Sequence, residues 1–183
     1  MEGTRTLLRT RISEKAERPL LAAALLLATL LGAYVEVPLP FTPVPLTLQT
    51  FFVLLSGALL GRRWGLSVQG AYLGFGAAGF AAFAGASAGI FHLLGPTAGY
   101  LWAFPAAAAL AGWGFRSPRL AVRAFSLGAG ALLILVSGAA WLGWSLRLGP
   151  ARAFLLGVAP FLPGEALKVF AVLAAARAFG SRR

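Results

Sequence analysis

Residues 64–115 read WGLSVQGAYLGFGAAGFAAFAGASAGIFHLLGPTAGYLWAFPAAAALAGWGF, flanked by Arg62-Arg63 and Arg116 yet without one Lys, Arg, Asp or Glu. A membrane-spanning helix needs about 20 mostly apolar residues, so an uncharged run of this length predicts two spans. Residues 85–96, with Gly85, Gly89, Gly95 and Pro96, are the break between them. Toward the N-terminus, residues 46–61 form another apolar run, ending at Arg62-Arg63. Before it stands Val37-Pro-Leu-Pro-Phe-Thr-Pro-Val-Pro45, whose prolines stop any helix. Residues 19–35 are apolar and follow a basic stretch, 1–18. That outline resembles a signal peptide, but further spans follow and no small-residue cleavage site ends the run, so it predicts the first transmembrane helix. Toward the C-terminus come a fifth run, 124–146, and a sixth, 153–179, interrupted by Pro160, Pro163 and Gly164 and carrying Glu165 and Lys168.

The whole composition agrees. The chain has 183 residues, 59% hydrophobic and 11% charged, where soluble domains carry roughly a quarter charged residues. Six spans leave no room for a large extramembrane domain. Neither lysine, Lys15 or Lys168, stands in a phosphate-binding G-x-x-x-x-G-K-[ST] loop, so nucleotide energy has to come from partners. No cysteine and a single histidine, His92, leave no zinc-type constellation and no thiol chemistry, and His92 reads as incidental. The expected fold is an all-α integral membrane bundle of six transmembrane helices: a basic N-tail at 1–18, a transmembrane domain at 19–179 and a C-tail at 180–183.

The net charge of +11 would suggest nucleic-acid binding in a soluble chain. Here it is topological, and no nucleic-acid partner is expected. Of the 16 basic residues, 13 fall in the N-tail, at Arg62-Arg63, between Arg116 and Arg123, and at the C-terminal end; only Arg147 and Arg152 fall on the other side, with Lys168 in the membrane. The positive-inside rule then puts both termini in the cytoplasm and both the Pro-rich loop and residues 85–96 outside.

Glu165 and Lys168, spaced i,i+3, share a helix face near the outer end of a span, where a buried charge is costly unless paired or wetted. They can be a self-contained ion pair that fixes packing, or the polar ends of a ligand site. The Pro-rich segment can be an idle turn or a stiff lid over such a site. Gly95-Pro-Thr-Ala-Gly-Tyr100 can simply open helix four, or let backbone approach a ligand with Tyr100 and Trp102 as flat faces. Trp64, Trp113, Trp141 and Trp144 fall near span ends and read as interfacial belt residues. Ala24, Ala28 and Gly32 make a small-residue stripe on helix one, suited to close helix approach either inside the bundle or with a partner.

Four segments in this order, Pro38-Leu-Pro-Phe-Thr-Pro-Val-Pro-Leu-Thr-Leu-Gln49, Leu55-Ser-Gly-Ala-Leu-Leu-Gly61, Gly95-Pro-Thr-Ala-Gly-Tyr-Leu101 and Pro163-Gly-Glu-Ala-Leu-Lys168, give the chain a resemblance to the BioY family. These are the biotin-specific substrate-binding subunits of energy-coupling-factor (ECF) transporters of the prokaryotic plasma membrane. The resemblance implies a biotin pocket at the outer face and no catalysis or cofactor. It also implies a helix-one motif, here Ala24, Ala28 and Gly32, that docks on a transmembrane coupling subunit driven by a pair of cytoplasmic ABC ATPases. Glu165 and Lys168 match the family's acidic-x-x-Lys pair that contacts biotin, and residues 38–45 match its lid. The implied substrate-binding set is Glu165, Lys168, Gly99, Tyr100, Phe41, Thr42, Val44, Phe83 and Gly85. Two departures stand out: Glu165 occupies a position where the family commonly has Asp, and Ala81-Ala82 precede Phe83-Ala84-Gly85 in place of Pro-Val. The competing function is an ion- or proton-coupled secondary transporter of a small organic acid, with Glu165 as proton carrier. An intramembrane enzyme has few acid, base or metal-ligand candidates to draw on, and a scaffold would bind no small ligand.

Overall fold

The computed structural model describes the backbone of residues 2–180 and the side chains of residues 17–179. Among the described residues seven α-helices follow one another: α1 (Glu2–Tyr34), α2 (Gln49–Leu60), α3 (Arg62–Ala77), α4 (Ala98–Gly114), α5 (Leu120–Ser145), α6 (Pro150–Gly157) and α7 (Leu162–Gly180). Between α6 and α7 lies a 3₁₀ turn, Ala159–Phe161. Together α6, the turn and α7 are the interrupted sixth segment, so the bundle has the six segments expected. Three are long and apolar enough to cross a membrane by length and composition: Glu17–Tyr34, Leu120–Ser145 and Pro150–Phe179.

Several boundaries differ from the sequence expectation. Helix α1 does not begin at Pro19 but runs through it. A proline there removes one backbone donor, and beside a polar stretch water can take the freed carbonyl. The basic tail 1–18 is thus helical in backbone from Glu2 onward; of the expected C-tail, 180–183, Gly180 is instead the last residue of α7, and 181–183 lie outside the described residues. Arg62 and Arg63 are not a loop: they open α3, and the whole α2–α3 corner is Gly61, with φ +81°. A left-handed φ in a one-residue turn favours glycine.

Helix α2 has 12 residues, a rise of about 18 Å, against a hydrocarbon core of about 30 Å. Where a full-length span would continue, the chain instead forms a two-stranded antiparallel hairpin, β1 (Glu36–Val37) with β2 (Leu46–Thr47), pairing Glu36 with Thr47. The prolines of the loop exclude helix here, and the short α2 leaves space at that end of the bundle.

Helix α4 is the centre, packed against α2, α3 and α5. Small residues allow this. A Cβ on Gly57 of α2 would strike the Ala108 carbonyl of α4, and one on Gly138 of α5 would overlap the Tyr100 ring. Helix association in a bilayer depends on such close packing rather than on exclusion of water. Gly138 thereby seats Tyr100, whose hydroxyl donates to the Gly157 carbonyl at 2.8 Å. A buried polar knot ties α1, α2 and α3: Gln69 Nε2 donates to Ser56 Oγ at 3.1 Å and to Thr29 Oγ1 at 3.3 Å.

Candidate functional site

A cavity of about 450 Å³ lies at the hairpin end of the bundle, a size typical of small-molecule sites. Its apolar walls include Leu101 and Phe104 of α4, Ile134 and Leu135 of α5, and Phe161 of the 3₁₀ turn. The hairpin and its Pro-rich loop cover it. Two hydrogen bonds fasten the cover: Thr42 Oγ1 donates to the Leu156 carbonyl of α6 at 2.9 Å, and Glu36 Oε2 accepts from the Gly85 N–H at 2.8 Å. Gly85, at φ +69°, sits in the left-handed region, where a side chain would be strained.

The charged groups gather where α7 packs on the first turn of α2. Lys168 Nζ lies 2.6 Å from Glu165 Oε1. Thr50 of α2 joins them, donating its hydroxyl to Glu165 Oε1 at 2.7 Å and accepting from Lys168 Nζ at 2.8 Å. Glu165 is 5% exposed, and its second oxygen, Oε2, is buried without a hydrogen-bond partner. Leaving a buried acceptor unsatisfied costs about 1–3 kcal/mol, and more when it is charged. The cluster therefore offers one unmet acceptor beside an ammonium whose third N–H is not committed to Glu165 or Thr50.

A second polar group lies next to it. Gln49 donates to the Tyr72 hydroxyl, accepts from Thr47 Oγ1 at 3.2 Å, and lines the cavity. The Tyr72 hydroxyl donates in turn to the Ala82 carbonyl at 2.9 Å, tying Gln49 through Tyr72 to the loop between α3 and α4. His92 also lines the cavity, its ring stacked on Phe83 with centroids 4.9 Å apart. Burial holds its pKa below the ordinary histidine value of 6.5, so the imidazole is neutral at pH 7 and adds no positive charge.

Of the residues singled out in the sequence, Thr42, Val44, Gly85, Tyr100, Glu165 and Lys168 line this cavity together. Three do not. Phe41 sits on the cover with 57% of its surface exposed. Phe83 is fully buried behind the wall, edge-on to Tyr72. Gly99 faces α5, where a Cβ would collide with Trp141 and the Ser137 carbonyl, so it serves helix packing. Trp102, considered beside Tyr100, instead donates its indole N–H to the Leu93 carbonyl at 3.0 Å and is half exposed. The stripe on α1 divides as well: Ala24 is exposed and Ala28 half-buried, whereas Gly32 is buried against α2, its Cβ position 3.2 Å from the Gln49 nitrogen.

Sequence reasoning missed Glu36, Gln49 and Thr50 as cavity residues and dismissed His92. The signal for Thr50 was faint but present: a polar pair, Gln49-Thr50, immediately before the apolar run Phe51–Leu55. Such a pair at the start of an intramembrane helix needs partners. Among the described residues no group of three or more His, Asp or Glu side chains is placed to hold a metal ion.

The chain is similar in sequence and in overall fold to known proteins. A protein from Pyrococcus horikoshii named "Probable biotin transporter BioY" is 42% identical over 168 residues, covering 91% of this chain and 99% of that one. Another of the same name, from Methanothermobacter thermautotrophicus, is 39% identical over 136 residues, covering 68% and 86%. The fold matches the structure titled "Crystal structure at 2.1 A of the S-component for biotin from an ECF-type ABC transporter" with a TM-score of 0.86 and 22% identity, over 92% of this chain and 93% of that one. The sequence model described as the BioY family matches residues 6–183. This multi-pass membrane protein therefore belongs to the BioY family.

Proposed function

We propose that the protein is the biotin-capturing membrane subunit of an ATP-driven ECF-type importer, binding biotin with high affinity at the outer face and releasing it through partner subunits. The observation that carries this reading is the Glu165–Thr50–Lys168 cluster, with one unmet carboxylate oxygen, set in a cavity whose walls are mostly apolar. Biotin is a complementary ligand. Its cyclic urea supplies N–H donors and a carbonyl acceptor, and its thioether ring and valeryl chain suit walls of Leu, Ile and Phe. The urea end belongs at the cluster, with an N–H toward Glu165 Oε2 and the carbonyl toward Lys168. The carboxylate tail at that place would put two anions side by side, an arrangement that raises the energy of both.

The test uses the full chain, purified in detergent without added ligand. Mass spectrometry of the denatured sample should release biotin, and calorimetry after its removal should show tight binding of biotin and weak binding of unrelated vitamins. Tight binding of another vitamin with none of biotin would overturn the reading.

The energy source and the docking partner follow from the same proposal. The exposed side of α1, with Leu20, Ala24, Leu27 and Leu31, is apolar and not covered by the described residues, and it is where the transmembrane coupling subunit would sit, linked to a pair of cytoplasmic ABC ATPases. Both termini are then cytoplasmic, in keeping with the 13 basic residues assigned to that side. Reporter fusions after Arg63, Arg119 and Arg183 should report cytoplasm, and one at Gly89 should report outside; agreement between Gly89 and Arg119 would refute the topology.

A further inference from the structure

We propose that Thr50 is a positioning residue, which holds Glu165 and Lys168 so that the second oxygen of Glu165 is kept open for an N–H of the ligand. This rests on the biotin reading above and adds a role for a residue outside the acidic-x-x-Lys pair.

The argument starts from the asymmetry of the cluster. An ammonium beside a carboxylate, left to itself, is free to centre between the two oxygens and satisfy both. Here it does not. Lys168 bonds Oε1 at 2.6 Å, Thr50 bonds the same Oε1 at 2.7 Å, and Oε2 has no partner although the residue is almost wholly buried. Thr50 accounts for this. Its hydroxyl donates to Oε1, and a lone pair of Thr50 Oγ1 accepts from Nζ at 2.8 Å, drawing the ammonium to the Oε1 side. Glu165 and Lys168 ride together on α7, whereas Thr50 is in the first turn of α2, so the anchoring point comes from a different helix. Thr50 itself is buried and β-branched, which limits its side chain to few rotamers. Without the hydroxyl, Lys168 can slide across and neutralise Oε2, and the ligand loses its acceptor.

The experiment compares two changes that should not add. Biotin and the two mono-N-methyl biotins, each lacking one urea N–H, are titrated by calorimetry into the parent protein and into Thr50→Val, Thr50→Ala and Thr50→Ser, with unfolding midpoints measured for each ligand-free variant. In the parent, one of the methylated ligands should bind much more weakly than biotin. In Thr50→Val, biotin itself should weaken about ten- to a hundredfold, the range of one hydrogen bond to a charged group, and the methylation penalty should largely vanish. Thr50→Ser should restore both affinity and penalty. Loss of the penalty is the coupling that a merely structural role would leave unmoved. If Thr50→Val unfolds, Thr50→Ala supplies the same comparison. A hydroxyl-free variant that binds biotin as the parent does, or keeps the full methylation penalty, overturns the role of Thr50 while leaving the biotin reading intact. A parent that binds no biotin overturns both.

Discussion

The double variant Glu165→Gln/Lys168→Met is expected to fold and to lose biotin affinity by at least about a hundredfold, since two charge-assisted hydrogen bonds at roughly 1.5–3 kcal/mol each disappear together. Changing both residues at once is what makes the experiment decisive. Removing Lys168 alone would strand a buried carboxylate, and removing Glu165 alone would strand an ammonium; either costs several kcal/mol of stability and confuses lost binding with lost structure. Removing both leaves no uncompensated charge, and uncharged replacements of a buried pair are often neutral or stabilising. The ligand-free unfolding temperature should therefore hold or rise while calorimetry reports weak binding. Unchanged affinity in a stable double variant would show that the pair, bonded at 2.6 Å, serves packing alone.

Trp at both Ala24 and Ala28 should abolish ATP-driven biotin uptake in cells that also make the coupling subunit and ATPases, with binding by the purified protein retained. Ala24 is exposed and Ala28 half-buried, on a face that contributes nothing to the cavity, so bulk there obstructs a partner helix and little else. Gly32 supplies the contrast within the same stripe. A Cβ there would lie 3.0 Å from the Phe52 ring and 3.2 Å from the Gln49 backbone nitrogen, so Gly32→Leu should lower stability by about 1–3 kcal/mol through overpacking and take binding with it. Equal loss of uptake and binding in well-folded Ala24/Ala28 variants would mean that this face packs within the protein.

The sequence carried the membrane-bundle fold because that fold is written in local quantities: apolar run length, charge at the run ends, and prolines where runs stop. The uncharged stretch 64–115, the Pro-rich segment and the break before Glu165 could each be read from neighbours along the chain, and the structure has a helix or an interruption at each. Helix ends were less legible. That Arg62 begins α3 depends on Gly61 turning the chain in one residue, and the 12-residue length of α2 depends on the hairpin that stands in place of further N-terminal turns. The resemblance to a known family also reached Glu165 and Lys168, adjacent on one helix and interpretable as a pair from spacing.

What the sequence could not supply is what lies across from that pair. Thr50 is separated from Glu165 by 115 positions, and whether its hydroxyl meets a carboxylate, a backbone carbonyl or lipid depends on which faces of α2 and α7 meet. The same holds for Gly99 and Phe83, which the resemblance groups with the ligand site but packing turns toward α5 and the core, and for Gly32, which the sequence groups with a docking stripe but packing turns toward α2. Local sequence determines which segments leave water, because transfer into the bilayer is nearly additive along a helix. The choice between site and core for a given residue is a matter of helix rotation and contact, and only the packed bundle decides it.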